Sequence, residues 1–193
     1  MRISLVTAPS GDVITTDEAK DHVEEVTAAN DTKIAAMVAA AVARLDGRDG
    51  ILGRALLSQT WDMKLDAFPD EDEISIPLPP LQSVTSISYV DGNGDTQTMS
   101  TDDYVVDTAT QPGVVALAYS KSWPVARSQR NAVTIRFVAG YGAAGAVPAP
   151  IKHAILLMVG EMFENREDSI VGLSYAPTRA VDQLLFPYRV LTP

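Results

Sequence analysis

The chain contains no cysteine. That excludes a disulfide framework, thiolate chemistry and cysteine-based metal sites. Aromatic residues fill only 6% of its 193 positions. Long apolar runs are missing as well. The stretch from Ala154 to Val159 falls far short of the ~20 apolar residues that a membrane-crossing helix needs, and so does the alanine-rich run from Ile34 to Ala43. The N-terminal MRISLVTAPSGD lacks a cationic start followed by an apolar region, so no secretory signal is expected. Basic residues are few: 15 Lys and Arg face 25 Asp and Glu, for a formal net charge of −10. Gripping nucleic acid by counterion release requires clustered lysine and arginine, so this composition argues against it. An acidic surface can still stand beside DNA without holding it.

What is present suits an ordinary folded chain. Hydrophobic residues make up 46% and charged residues 21%. The length fits one domain with a real core. Thr15-Thr16-Asp17-Glu18 reads as a helix start, with Thr15 as cap, Glu18 completing a capping box and acids in the first turn. The first helix is expected over about 16–26. Asn30 or Asp31 caps a second, over about 31–46, whose Ile34, Val38, Ala41, Val42 and Leu45 recur at helical spacing. Gly47, Gly50 and Gly53 then end it.

From Leu57 the hydrophobic period changes to two. SQTWDMKLDAF alternates around Trp61, Met63 and Leu65. ISIPLPPL, SVTSISYV, TQTM, DYVVDT, GVVALAY and AVTIRFV follow as short strand-like runs broken by Pro, Gly, Asn and Asp. Asn93-Gly94 inside DGNGD is a two-residue hairpin signal. A third, strongly apolar helix is expected over about 149–164, NREDSIVGLSYAP reads as a loop, and a short helix is expected from Thr178 to Phe186. The tail, 187–193, is expected to be mobile. The predicted fold class is therefore α+β: a small bundle of three main helices, with a β-rich insertion over about 57–140 between helices 2 and 3, and a C-terminal tail. The whole chain, 1–193, reads as a single domain.

No candidate for chemistry survives its context. Gly140, Gly142 and Gly145 spell G-x-G-x-x-G between a strand-like run and a helix, the order of a dinucleotide-binding fingerprint. In that motif the helix begins within the glycines and turns its first N–H groups to the pyrophosphate. Here Ala146, Val147 and two prolines intervene, and Pro150 has no N–H to offer. The three glycines are read instead as a joint, or hinge. Asp91, Asn93 and Asp95 mimic the opening of a calcium loop, but Thr96 stands where glycine is due and Asp102 where glutamate is. The acids of PDEDE, from Pro69 to Glu73, have no histidine beside them and read as a solvated face. His22 and His153 fall in different helices, and no G-x-S-x-G elbow singles out a serine. No catalytic residue, cofactor or metal ligand is expected. A nucleotide-dependent enzyme using the Gly140–Gly145 loop is the alternative from another functional class.

The end of the chain, LLFPYRVLTP, is different. Leu185, Phe186, Tyr188, Arg189, Val190 and Leu191 gather apolar, aromatic and basic groups at the end of an acidic chain, the composition of interface anchors. They are the candidate partner-contact residues.

Several segments, in order and over most of the chain, resemble the head–tail connector or adaptor proteins of tailed phages, with relatives in prophages and gene-transfer particles. They are TTDEAKDHV, DGRDGILGRALLSQTWDM, IPLPPLQSVTSISYVDGNGDTQTM, DYVVDTATQPGVVALAYSKSWPVAR, VTIRFVAGYG, VPAPIKHAILLMVGEMFENRE and PYRV. The resemblance implies a structural role in the neck of a virion or phage-like particle assembled in the bacterial cytoplasm. Such adaptors form a ring, commonly twelve-fold, beneath the portal protein, and they contact neighbouring subunits and a stopper or tail-neck protein. DNA passes through the channel without specific binding, and no membrane is involved. A tail-side completion or stopper protein is the alternative within the structural class.

Overall fold

The computed structural model describes residues 1–25, 27–165 and 179–190. The chain divides into two compact units, Met1–Ser10 with Leu57–Tyr141, and Gly11–Leu56 with Gly142–Pro193.

The first unit is all antiparallel sheet. Strands β1 (Arg2–Thr7), β2 (Gln59–Leu65), β3 (Glu73–Ile76), β4 (Leu81–Val90), β5 (Thr96–Thr98), β6 (Tyr104–Asp107), β7 (Gly113–Leu117) and β8 (Val133–Ala139) form a five-stranded sheet, β1-β2-β8-β4-β5, and a three-stranded one, β3-β7-β6. Alternation decides which face is dry. On β8, Val133, Ile135, Phe137 and Ala139 are fully buried, while Thr134, Arg136 and Val138 point the other way and are not. Register carries this across the sheet: Trp61 pairs with Phe137, Met63 with Ile135, and Ile135 with Ile87. Gly113 of β7 shows how closely the smaller sheet approaches. A Cβ at that position would lie 2.5 Å from the Leu81 side chain.

The second unit holds the helices α1 (Thr16–His22), α2 (Asp31–Leu45), α3 (Ala149–Glu164) and α4 (Arg179–Leu185). Thr15 caps α1 with a complete capping box, its Oγ1 accepting from the Glu18 N–H at 3.1 Å while the Glu18 carboxylate accepts from the Thr15 N–H at 2.8 Å. The helix stops at His22, short of the expected end near 26. Glu24 turns to φ +57°, and the Glu25 carboxylate takes the N–H and hydroxyl of Thr27 and the Asn30 amide, drawing the chain into a different turn. On α2, Ile34, Val38, Ala41 and Leu45 make the buried stripe; on α3, Ile151, Ala154, Ile155 and Val159 do so. Helix α2 packs against α1 and α3, and α3 against α4.

The expected fold class, three helices in a small α+β bundle with a β-rich insertion, is corrected. Among the described residues there are four helices and two antiparallel sheets of eight strands, with about equal helix and strand content. The sheets are not confined between helices 2 and 3. Strand β1 comes from the N-terminus and pairs with β2, from Arg2 against Lys64 to Thr7 against Thr60. It escapes sequence reading because it is an edge strand, exposed at every residue but Ile3, so no buried–exposed alternation marks it. Residues 26, 166–177 of the expected loop, Thr178, and 191–193 of the expected tail lie outside the described residues.

Candidate functional site

The three glycines of the proposed joint have three different surroundings. Gly140 ends β8 at φ +121° and is buried. Its N–H donates to the Pro80 carbonyl at 2.9 Å, its carbonyl accepts from Gln82 Nε2 at 2.7 Å, and a Cβ there would sit 2.1 Å from the Leu57 carbonyl oxygen. Only glycine fits that position. Gly142, at φ +118°, opens the second stretch of the helical unit, and Gly145 is exposed, with nothing within 4 Å of where a Cβ would stand. Helix α3 begins at Ala149 after Pro148, with Pro150 in its first turn. Its N–H groups therefore start beyond the glycines, not among them.

The C-terminal candidates are held by a neighbouring loop of their own unit. After α2, Asp46 and Arg54 form a parallel bridge, Gly47 N–H donates to the Arg54 carbonyl at 2.7 Å, and the Asp46 carboxylate accepts from the Leu56 N–H at 2.7 Å. Along this loop runs the chain end. Buried Arg54 donates from Nε to the Tyr188 carbonyl, and Val190 N–H donates to the Leu52 carbonyl at 2.9 Å. Gly53, at φ +63°, leaves room for Val190, whose Cβ is 3.4 Å from where a Gly53 side chain would begin. Arg189 reaches back to Asp182 at 2.7 Å. The segment up to Val190 is thus tied down, where a mobile tail was expected. Leu185 is fully buried, Tyr188, Arg189 and Val190 are half-buried, and Phe186 stands out at 68% exposure. Leu191 lies outside the described residues. Sequence reasoning missed Leu52, Gly53 and Arg54 as the cradle. The available signal was a lone arginine in the apolar run ILGRALL.

The remaining polar candidates serve the fold. Asp91 closes its own hairpin: its carboxylate accepts from Asn93 N–H, Asp95 N–H and the Gln97 amide, at 2.9 to 3.0 Å. The Gln97 bond, with the backbone donors behind it, holds the carboxyl below its ordinary value. Among the described residues, no group of three or more His, Asp or Glu is placed to hold a metal. His22 and His153 do meet, edge to face at 6.2 Å between ring centres, as α1 crosses α3. Nearby, Lys152 pairs with Glu18 at 3.2 Å, and the Thr15 backbone bond together with Lys152 lowers the Glu18 carboxyl.

No protein-family model matches the chain, and no curated protein matches it. Solved structures do. A chain in the neck of an empty gene transfer agent particle, computed with six-fold symmetry, matches with a TM-score of 0.79 and 25% identity, covering 100% of this chain and 97% of that one. This chain has the fold of a gene transfer agent neck protein. A chain of the native gene transfer agent virion (TM-score 0.80, 24% identity) and one of the native neck computed with twelve-fold symmetry (TM-score 0.72, 24% identity) match over the same shares of each chain. The resemblance to the head–tail connectors therefore extends to three dimensions. All three of these chains are components of gene transfer agent particles, two of them from the neck. No helix among the described residues is long and apolar enough to cross a membrane.

Proposed function

We propose that this chain is the head–tail adaptor of a phage or phage-like particle, forming a ring under the portal protein and extending the DNA channel toward the tail. The full-length likeness to a neck chain carries the reading, because it spans both units and not one common motif. The whole chain works as one adaptor, twelve copies to a ring, with a stopper or tail-neck protein below. A net charge of −10 suits a channel that DNA must traverse without sticking, since unpaired carboxylates repel phosphate. The same charge sets subunits against one another, so the ring forms on the portal as template and higher salt favours it.

Within this reading the exposed Phe186, beside Tyr188 and Arg189, is the anchor to the portal or an adjacent subunit, with Leu185 as its buried support. Val190 and, next in the sequence, Leu191 belong to the same proposed contact set. Gly140, Gly142 and Gly145 are, in this reading, the joint of the chain between β8 and α3.

The test is to delete the gene from a particle-producing strain and to image the particles. Filled heads without tails, restored to tailed particles by the wild-type gene, are the expected outcome. Normally tailed particles from the deletion strain would sink the proposal.

A further inference from the structure

Tyr119 is 98% exposed, the highest figure among the exposed large hydrophobic side chains of the described residues. It is also firmly placed. It follows β7 in a turn closed by the Lys121 N–H to the Ala118 carbonyl at 3.0 Å, with Ser120 at φ +62°. The chain entering that turn is pinned to two different segments by backbone bonds. Leu117 N–H donates to the Asp72 carbonyl at 2.8 Å, and Ala118 N–H donates to the Asp103 carbonyl at 3.0 Å. Just beyond, Trp123 stacks on Phe68 at 5.2 Å and donates its indole N–H to the Glu71 carbonyl at 2.8 Å. A solvated aromatic ring on a loose loop would need no explanation, but this one stands on a braced backbone turn.

The segments that brace it both carry acids. On one side runs Asp70-Glu71-Asp72-Glu73, exposed throughout; on the other stand exposed Asp102 and half-exposed Asp103. Lys121 pairs with Asp103 at 2.7 Å and also feels the charge of Asp102, one cation against the acids of both segments. The end of the three-stranded sheet is thus an aromatic group between two excesses of negative charge. Tyrosine at the centre of a charged rim is a common interface anchor, and the charges select the partner. A second copy is a poor partner. It is itself acidic, and six of its lysines and arginines are already engaged in intrachain ion pairs.

We propose that this tip, centred on Tyr119, docks onto a protein surface that presents lysine or arginine and belongs to a different polypeptide. The face is separate from the C-terminal segment, and the proposal does not depend on the adaptor reading.

The experiment places a photocrosslinker at the tip, Tyr119→p-benzoylphenylalanine, in the full chain within the cells that encode it. After irradiation, the expected adduct is with another polypeptide, through a peptide that mass spectrometry shows to contain lysine or arginine. Charge reversal with E71K and D102K should lower its yield by about tenfold. Both side chains are exposed, so that variant keeps the wild-type melting temperature. If it does not, raising ionic strength on crude extracts of the unreversed chain reads the same charge dependence. An adduct with a second copy, an adduct indifferent to charge and salt, or no adduct overturns the proposal. Tailed particles that contain the chain but yield no adduct reject the tip and leave the adaptor reading standing. An adduct from a chain absent from particles does the reverse.

Discussion

Asp62 and Arg136 face each other across β2 and β8, joined by two parallel hydrogen bonds of 2.8 and 3.0 Å. The Asp62 side chain is only 12% exposed, whereas that of Arg136 is 45% exposed. The aspartate, acting first by its hydrogen bond and then by its charge, holds the guanidinium above its ordinary value. Arg136→Ala would leave a nearly buried carboxylate without its cation. We expect a measurable but small loss of stability, kept modest by water around the exposed arginine. The double variant D62L/R136M, which leaves no orphaned charge, should recover most of that loss in urea unfolding. Equal losses in the single and double variants would show that the pair is not what matters.

Glu25 offers a test by acid. Its bonds from the Thr27 hydroxyl and N–H and the Asn30 amide bring its carboxyl from 4.5 down to about 2 in the folded chain. A depressed folded value means that the contribution to stability is complete above the unfolded value and is lost as pH falls toward about 2. Glu25→Gln should therefore melt below wild type at neutral pH, with the gap closing as the solution is acidified. A gap independent of pH would contradict this.

Two glycines of one motif should respond oppositely to alanine. Gly140→Ala forces a Cβ against the Leu57 carbonyl in a backbone region that alanine avoids, and should cost more than about 2 kcal/mol. Gly145→Ala meets nothing and should stay within about 0.5 kcal/mol of wild type. Chemical denaturation of the two variants decides it.

Truncation before Tyr188 should be felt by the fold. Buried Arg54 would lose its acceptor at the Tyr188 carbonyl and Leu52 its donor from Val190, a loss of about 1–3 kcal/mol by thermal or urea unfolding. Phe186→Ala, by contrast, removes an exposed ring and should leave the melting temperature nearly unchanged while reducing incorporation into particles. A Phe186→Ala chain that enters tailed particles at normal yield would dismiss that residue as an anchor.

A nucleotide titration decides between joint and cofactor site at the glycine motif. Helix α3 starts four residues after Gly145, so no ring of N–H groups waits for a phosphate at the glycines. Calorimetry with NAD or ATP is expected to show no saturable heat. A one-to-one site abolished by Gly142→Val would reinstate the cofactor reading.

Legibility in the sequence followed a simple physical line. Features recorded in side chains next to one another were visible: the Thr15–Glu18 cap, the alternation of β2 and β8, and the existence of a hairpin at DGNGD, although its turn centres on Gly92-Asn93, with Gly94 at φ +97°, and not on a two-residue Asn93-Gly94 loop. Features written in backbone bonds between distant segments were not. Val190 and Leu52, or Tyr188 and Arg54, meet through carbonyl and amide groups that every residue possesses, so the tail reads as free. β1 was invisible because its pairing is backbone and its side chains are mostly wet. The glycine motif misled for a related reason. Three identical residues carry no mark of which one is clamped between carbonyls and which one faces open water.

The division of the chain also orders its birth on the ribosome. The sheet unit draws on Met1–Ser10 and Leu57–Tyr141, so all of it has been synthesised before α3 exists. Helices α1 and α2 emerge early, yet the helix they must cover, α3, comes more than a hundred residues after α2 begins. During that interval the apolar stripe of Ile34, Val38, Ala41 and Leu45 has α1 beside it but lacks α3, a nascent surface open to wrong company. The sheets can close during translation, whereas the helical half must wait for its second stretch, from Gly142 onward, to be made.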